Sequence, residues 1–142
     1  MICDFRGKYR FLSNFYMHGS KPWVILDGVA YPSVEHAYQA AKSDNPHYRT
    51  EILTCTTPGS AKRLGQKIHL RWDWEDVKLQ VMKELLLQKF VKGSELAQRL
   101  LDTGSEELIE ANVWRDVFWG QCPLGNGLNW LGRLLMEIRN GY

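Results

Sequence analysis

Two short runs of strand-forming residues, Trp23-Val24-Ile25-Leu26 and Val29-Ala30-Tyr31, flank an Asp27-Gly28 pair and are followed at once by Pro32-Ser33. Asp-Gly between such runs supplies the backbone freedom that a tight hairpin turn needs. Ser33 is a good helix N-cap, and the next residues lack Gly and Pro until Asn45-Pro46. The pattern predicts a hairpin that feeds directly into a helix from Val34 to about Asp44, so this region is committed to short, local elements.

The rest of the chain is punctuated in the same way. Arg49 to Cys55 reads as a weaker helical region, because Thr50, Ile52, Thr54 and Thr56 are β-branched. Thr57-Pro58 opens a short helix through about Gly65, with Ala61 and Leu64 facing inward and Lys62 projecting from its side. Asp73 is predicted to cap the strongest helix, Trp74 to about Val91, whose core stripe is read as Val77, Val81 and Leu85. Ser94 starts another short helix through Leu101, closed by Gly104. Leu108 to Val113 and Val117-Phe118-Trp119 read as short extended segments flanking an acidic corner at Trp114-Arg115-Asp116, and Gly120 to Gly127 as a loop. Asn129 then caps a final helix carrying Leu131, Leu134, Leu135 and Ile138. The expected fold class is α+β, predominantly helical: a single compact domain over residues 1–142 with a small β-sheet.

Composition narrows the function classes. With 44% hydrophobic and 24% charged residues the chain is an ordinary globular sequence, and no apolar run approaches the roughly 18 to 20 residues of a membrane span. The first residues lack a secretory signal pattern, so cytoplasmic residence is the expectation. Cys3, Cys55 and Cys122 are odd in number and scattered, and read as reduced thiols rather than a disulfide framework. The four histidines show no metal-ligand spacing, so no metal is expected. His36 and Cys55 sit in no nucleophile motif and read as core or surface residues. A net charge of +2 neither demands nor forbids a nucleic-acid partner, because a phosphorylated substrate needs only a local basic rim. Six tryptophans suit a packed core, and planar rings also suit a pocket that stacks a base.

The first helix offers two faces. Val34, Ala37 and Ala41 form a small apolar stripe, whereas Glu35, Tyr38, Gln39 and Lys42 lie at i, i+3, i+4 and i+7 on another. That second row holds an acid, an amide and an amine. Such a row suits a reaction that builds positive charge on its substrate, because an anionic group can stabilise that charge or activate water. The plain alternatives are an exposed first-turn glutamate and a surface ion pair with Lys42. Asp116, among aromatics, is either a turn residue or a pocket carboxylate. The Gly125-Asn126-Gly127-Leu128-Asn129 loop is either a plain turn or a phosphate cradle.

Several blocks in order resemble the NADAR (YbiA-like) family. They are Phe11-Leu12-Ser13-Asn14-Phe15-Tyr16, then Tyr31-Pro32-Ser33-Val34-Glu35-His36-Ala37-Tyr38-Gln39-Ala40-Ala41-Lys42, and Ala61-Lys62 with Gly65. Arg71 with Asp73-Trp74, Lys89-Phe90, Asp116 with Trp119-Gly120, and Gly127 through Arg139 continue the order. The resemblance implies a mainly helical fold and N-glycosidase activity without metal or organic cofactor. It implies as substrate either ADP-ribose on guanine, in nucleotides or modified DNA, or a ribosylaminopyrimidine phosphate of riboflavin synthesis. By matching motif, Glu35 resembles the family's essential glutamate, Asp116 its essential aspartate, Trp74 the tryptophan of its Asp-Trp block, and Lys42 the amine able to trap the sugar, with Lys62 its competitor; the first three are the main catalytic expectations. Ser13, Asn14, Tyr38, Gln39, Trp119 and Asn129 are expected to line the ligand. A non-catalytic nucleotide-binding module would share such a pocket, and the presence of Glu35, Asp116 and Lys42 favours the enzyme.

Overall fold

The computed structural model describes residues 1–17, 24–112, 116–121 and 125–142. Trp23 of the predicted first strand, Val113-Trp114-Arg115 of the predicted acidic corner, and Cys122 lie outside the described residues. Two units divide the chain, one made of Asn14–Lys89 and the other of Met1–Ser13 with Phe90–Tyr142.

The Asn14–Lys89 unit begins with β1 (Val24–Leu26) and β2 (Val29–Tyr31), paired antiparallel with Val24 opposite Tyr31. Asp27 and Gly28 both take positive φ, 49° and 82°, as the predicted tight turn requires. The outer edge of β1 is covered by Gln88, whose amide accepts from the Ile25 N–H at 2.6 Å and donates to the Ile25 carbonyl at 2.8 Å. Four helices follow: α1 (Val34–Ala40), α2 (Pro46–Thr54), α3 (Pro58–Gly65) and α4 (Trp74–Lys89). Helix α1 is the centre of this unit, packed against α2, α3, α4 and both strands.

Three predictions need correction here. Helix α1 ends at Ala40 rather than about Asp44, because the chain tightens into i→i−3 bonds, Lys42 N–H to the Gln39 carbonyl and Ser43 N–H to that of Ala40. Asn45-Pro46 starts α2 rather than only ending α1. The Asn45 side chain accepts from the His47 and Tyr48 N–H groups, and Pro46 takes the first helical position, which outweighs the β-branched residues beyond. The buried face of α4 is Trp74, Met82, Leu85, Leu86 and Lys89; Val77 and Val81 are half-buried. Asp73 gives its carboxylate to Arg71, with Nε–Oδ1 at 2.5 Å and Nη2–Oδ2 at 2.9 Å.

In the other unit a 3₁₀ segment (Gly7–Leu12) precedes α5 (Glu95–Leu101) and α6 (Trp130–Asn140). Its core gathers Phe5, Phe11, Leu12, Phe90, Leu96, Leu100, Leu108 and the predicted α6 stripe Leu131, Leu134, Leu135 and Ile138. Phe11 meets Phe90 edge to face at 6.4 Å between centroids. Among the described residues, the predicted extended segment from Leu108 survives only as isolated parallel bridges, Ile2 with Leu108 and Ala111 with Gln121. Val117-Phe118-Trp119 is a turn rather than a strand, because Asp116 Oδ1 accepts from the N–H groups of Phe118 at 3.2 Å and Trp119 at 2.9 Å. A mixed, helix-dominated fold with a two-stranded antiparallel sheet is observed, as predicted.

Candidate active site

A helix of seven residues is too short to be stable by its own hydrogen bonds, so α1 must be held from outside. At its N-terminus the Ser33 hydroxyl accepts from the His36 N–H at 3.0 Å, and the Glu35 N–H donates to the Asn14 carbonyl at 3.1 Å. His36, fully buried, donates from Nε2 to the Cys55 carbonyl at 2.9 Å. That bond sets the tautomer, leaving Nδ1 to accept from the Ser33 hydroxyl at 2.7 Å. Burial pushes the His36 pKa down, partly opposed by the Cys55 carbonyl. His36 therefore reads Cys55 by its backbone, and the two are no nucleophilic pair.

The C-terminal carbonyls, orphaned in any helix, are claimed by neighbours. The Tyr48 hydroxyl donates to the Gln39 carbonyl at 2.7 Å, and burial pushes that phenol's pKa up. Arg49 Nε donates to the carbonyls of Ala40 at 3.2 Å and Ser43 at 2.8 Å, and the Arg71 N–H donates to that of Lys42 at 2.8 Å.

With α1 so held, its polar row lies inside the protein. Glu35 is 6% exposed and Gln39 2%, which excludes the exposed first-turn glutamate. Gln39 Nε2 donates to Glu35 Oε1 at 2.9 Å, a neutral donor that supports a buried carboxylate without cancelling its charge. Tyr38 has two neighbours: the Trp74 ring lies 5.2 Å from it between centroids, tilted by 55°, and Lys42 Nζ stands 5.7 Å from the Tyr38 centroid. Lys62 Nζ lies 5.9 Å from the Phe15 ring. Asn14 is buried, its Nδ2 3.5 Å from Met82 Sδ, and its Oδ1, like Gln39 Oε1, accepts no hydrogen bond among the described residues. Glu35, Gln39, Tyr38, Lys42, Trp74, Asn14 and Lys62 thus belong to one unit.

Asp116, Trp119, Asn129 and Ser13 belong to the other. Asn112 grips Asp116 by both backbone groups, its Oδ1 accepting from the Asp116 N–H at 3.0 Å and its Nδ2 donating to the carbonyl at 3.1 Å. Trp119 is half-buried and packs edge to face on Phe118 at 4.8 Å. Asn129 occupies the position before α6 but does not cap it with its side chain. It takes a left-handed φ of 51° and aims its amide elsewhere, accepting from the Glu110 N–H and donating to the Leu108 carbonyl, each at 2.9 Å. Its polar atoms are therefore engaged by backbone. Ser13 is half-buried and closes the 3₁₀ segment.

Sequence reasoning named Lys89 only within a family block, with no role, and passed over Asn112. Lys89 is only 1% exposed, with Nζ 5.6 Å from the Tyr16 ring centroid, a more deeply buried amine than Lys42 or Lys62. Its place in the helical row with Met82 and Leu85 is the signal that marks it. Asn112, the clamp on Asp116, left none. Among the described residues no group of His, Cys, Asp and Glu is arranged to hold a metal ion, and no helix is long and apolar enough to cross a membrane.

A helix-centred unit with a buried carboxylate, a fixed amide and an amine over the ring of a tilted aromatic pair has the parts of a group-transfer or hydrolytic site. The NADAR domain family profile matches residues 4–141, and the chain belongs to that family. It is 42% identical over 120 residues to the N-glycosidase YbiA of Escherichia coli, covering 82% of this chain and 74% of that protein. The NMR structure of the Escherichia coli protein YbiA superposes with a TM-score of 0.81 at 37% identity, covering 99% of this chain and 84% of that one. A riboflavin biosynthesis protein of Vibrio vulnificus is 37% identical over 131 residues; the match takes in 91% of this chain but spans only 34% of that protein. The relatives' names support assignment to the hydrolases acting on N-glycosyl bonds.

Proposed function

We propose that this chain hydrolyses the C1′–N bond of a ribosylated base and that ADP-ribose on guanine, in DNA or in nucleotides, is its substrate. The observation that carries the chemistry is Glu35, a carboxylate buried on a short helix with its Oε1 held by Gln39. As the C1′–N bond lengthens the sugar becomes cationic, and a pre-placed anion in a site of low dielectric stabilises that charge at little reorganisation cost. Lys42 supplies the nucleophile. Its neutral amine bonds to C1′ as the base departs with the bonding electron pair and takes up a proton. The ribose ring then opens to an imine, and water releases the sugar and regenerates the amine. Asp116 is the second carboxylate of the proposal, on the strength of its family match.

The preference for an ADP-ribosyl substrate rests on charge. From Ser60 to Trp72 there is no Asp or Glu, whereas Lys62, Arg63 and Lys67 are basic; Arg71 is paired with Asp73. Without those three, the other 15 of the 18 Lys and Arg residues fall short of the 16 Asp and Glu, so this strip holds the whole positive excess. It is tied to the α1 end through Arg71 and Lys42, and it ends in Trp72, 94% exposed. A pyrophosphate, or a strand with a base to stack, fits such a rim. The second reading, a ribosylaminopyrimidine 5′-phosphate, is favoured by the likeness to the riboflavin biosynthesis protein.

Incubating the purified protein in parallel with guanine-ADP-ribosylated DNA and with a ribosylaminopyrimidine phosphate tests both. Release of ADP-ribose and restored guanine supports the first reading; release of ribose phosphate alone selects the second. Turnover of neither substrate sinks the N-glycosidase proposal.

A further inference from the structure

Gly65 closes α3 with an ordinary negative φ, so its backbone does not require glycine. Glycine in a helix costs up to about 1 kcal/mol relative to alanine, which calls for another reason. The reason is space. A Cβ built on Gly65 would lie 1.9 Å from Gln39 Oε1, 2.8 Å from its Cδ and 3.3 Å from its Cβ. The Gln39 side chain therefore lies flat across the Gly65 α-carbon. In that place Nε2 reaches Glu35 Oε1 at 2.9 Å, while Oε1 is buried against α3 without a hydrogen bond among the described residues. An amide with an unsatisfied buried oxygen is not at its own optimum, and a neighbouring surface must confine it.

We propose that Gly65 is a positioning residue: the slot left by its missing side chain holds the Gln39 amide against Glu35 and so aims the carboxylate. The catalytic consequence rests on the role given to Glu35 above. A methyl group at position 65 is relieved most cheaply by swinging the Gln39 amide away, and that motion abandons Glu35. Gly65 touches no substrate in this account and acts through Gln39 alone.

The experiment is a double-mutant cycle of Gly65→Ala and Gln39→Ala, read by steady-state kinetics and by ¹³C titration of the Glu35 carboxyl, which needs no turnover. Gly65→Ala is expected to lower kcat roughly tenfold to a hundredfold, as losing one placed donor does, with KM within about twofold. Losing a donor to the charged form raises the Glu35 pKa in each single variant. The double variant should match Gln39→Ala in both readouts, because the added methyl then meets no amide. An unmoved Glu35 titration in Gly65→Ala, or losses that multiply in the double variant, overturns the proposal. If Gly65→Ala does not fold, the double variant decides: folded with Gln39→Ala behaviour it supports the slot, and unfolded it makes Gly65 a helix-packing residue instead. If the parent turns over neither substrate, the N-glycosidase reading falls while the titration still judges the coupling.

Discussion

Lowering the pH from 7.5 to 5.5 should loosen this protein through His36. Its imidazole is fully buried, with Nε2–H spent on the Cys55 carbonyl and Nδ1 accepting from Ser33, so the fold holds the neutral ring. Burial depresses its pKa in the fold, whereas the unfolded chain takes up the proton near the ordinary 6.5. The unfolded state then binds more protons below that value. Stability is full above about pH 6.5 and declines as the pH falls below it. A fold that refused the proton altogether would lose about 1.4 kcal/mol over this interval, which is the ceiling of the effect. A chain of 142 residues has an unfolding entropy of about 0.3 kcal/mol per degree, so the ceiling corresponds to a fall in Tm of about 4–5 °C. Calorimetry at the two pH values, on the parent and on His36→Gln, isolates the contribution from the exposed His47 and from the carboxylates. The variant should start lower and fall less. Parallel curves for the two proteins would refute the reasoning, since the pH dependence would then arise elsewhere.

Glu35→Gln and Asp116→Asn should each cut turnover at least about a hundredfold with Tm nearly unchanged, and near-normal turnover in either folded variant removes that residue from the mechanism. Borohydride added during turnover should fix the sugar's mass on the peptide containing Lys42. Lys42→Arg, which keeps the charge but cannot form the imine, should abolish both trapping and most turnover. An adduct on Lys62 or Lys89 would move the nucleophile there, and no adduct with an active Lys42→Arg would leave direct attack by water. Tyr48→Phe removes the side-chain donor to the Gln39 carbonyl, which keeps the Lys42 N–H, and should cost about 0.5–1.5 kcal/mol by chemical denaturation; an unchanged midpoint would show that the hydroxyl contributes nothing to stability.

What was legible in the sequence was legible through local chemistry. Asp27-Gly28, Ser33, Thr57-Pro58 and Ser94 each state a turn or a cap within a few residues, and each is found where it was expected. The row Glu35, Tyr38, Gln39 came from helical periodicity alone, but periodicity is silent about which face meets solvent. A helix packed on every side shows two faces and buries both, so the depth of Glu35 appears only in three dimensions. Where a side chain had two partners to choose from, the local rule failed. Asp73 took Arg71 and Asn129 took the backbone of Leu108 and Glu110, while Asp116, in the turn-residue reading already open to it, displaced the strand read over Val117-Phe118-Trp119. In each case a competing hydrogen bond to a neighbouring side chain or backbone group, or to another segment, decided the outcome, and composition carries no record of it.

The outside claims on the α1 carbonyls alter where damage to this protein would be felt. Tyr48 and Arg49 sit on α2 and Arg71 in the loop before α4, yet each holds a carbonyl within a few residues of Gln39. Sensitivity is thereby exported from the helix proposed to bear the chemistry to residues outside it. A deep mutational scan scored by turnover should show α2 as intolerant along its Tyr48–Arg49 edge and permissive at exposed Thr50 and Leu53. Those exposed positions are open to substitution, whereas conservative-looking changes at Tyr48 or Arg49 would act on the proposed active site from a distance.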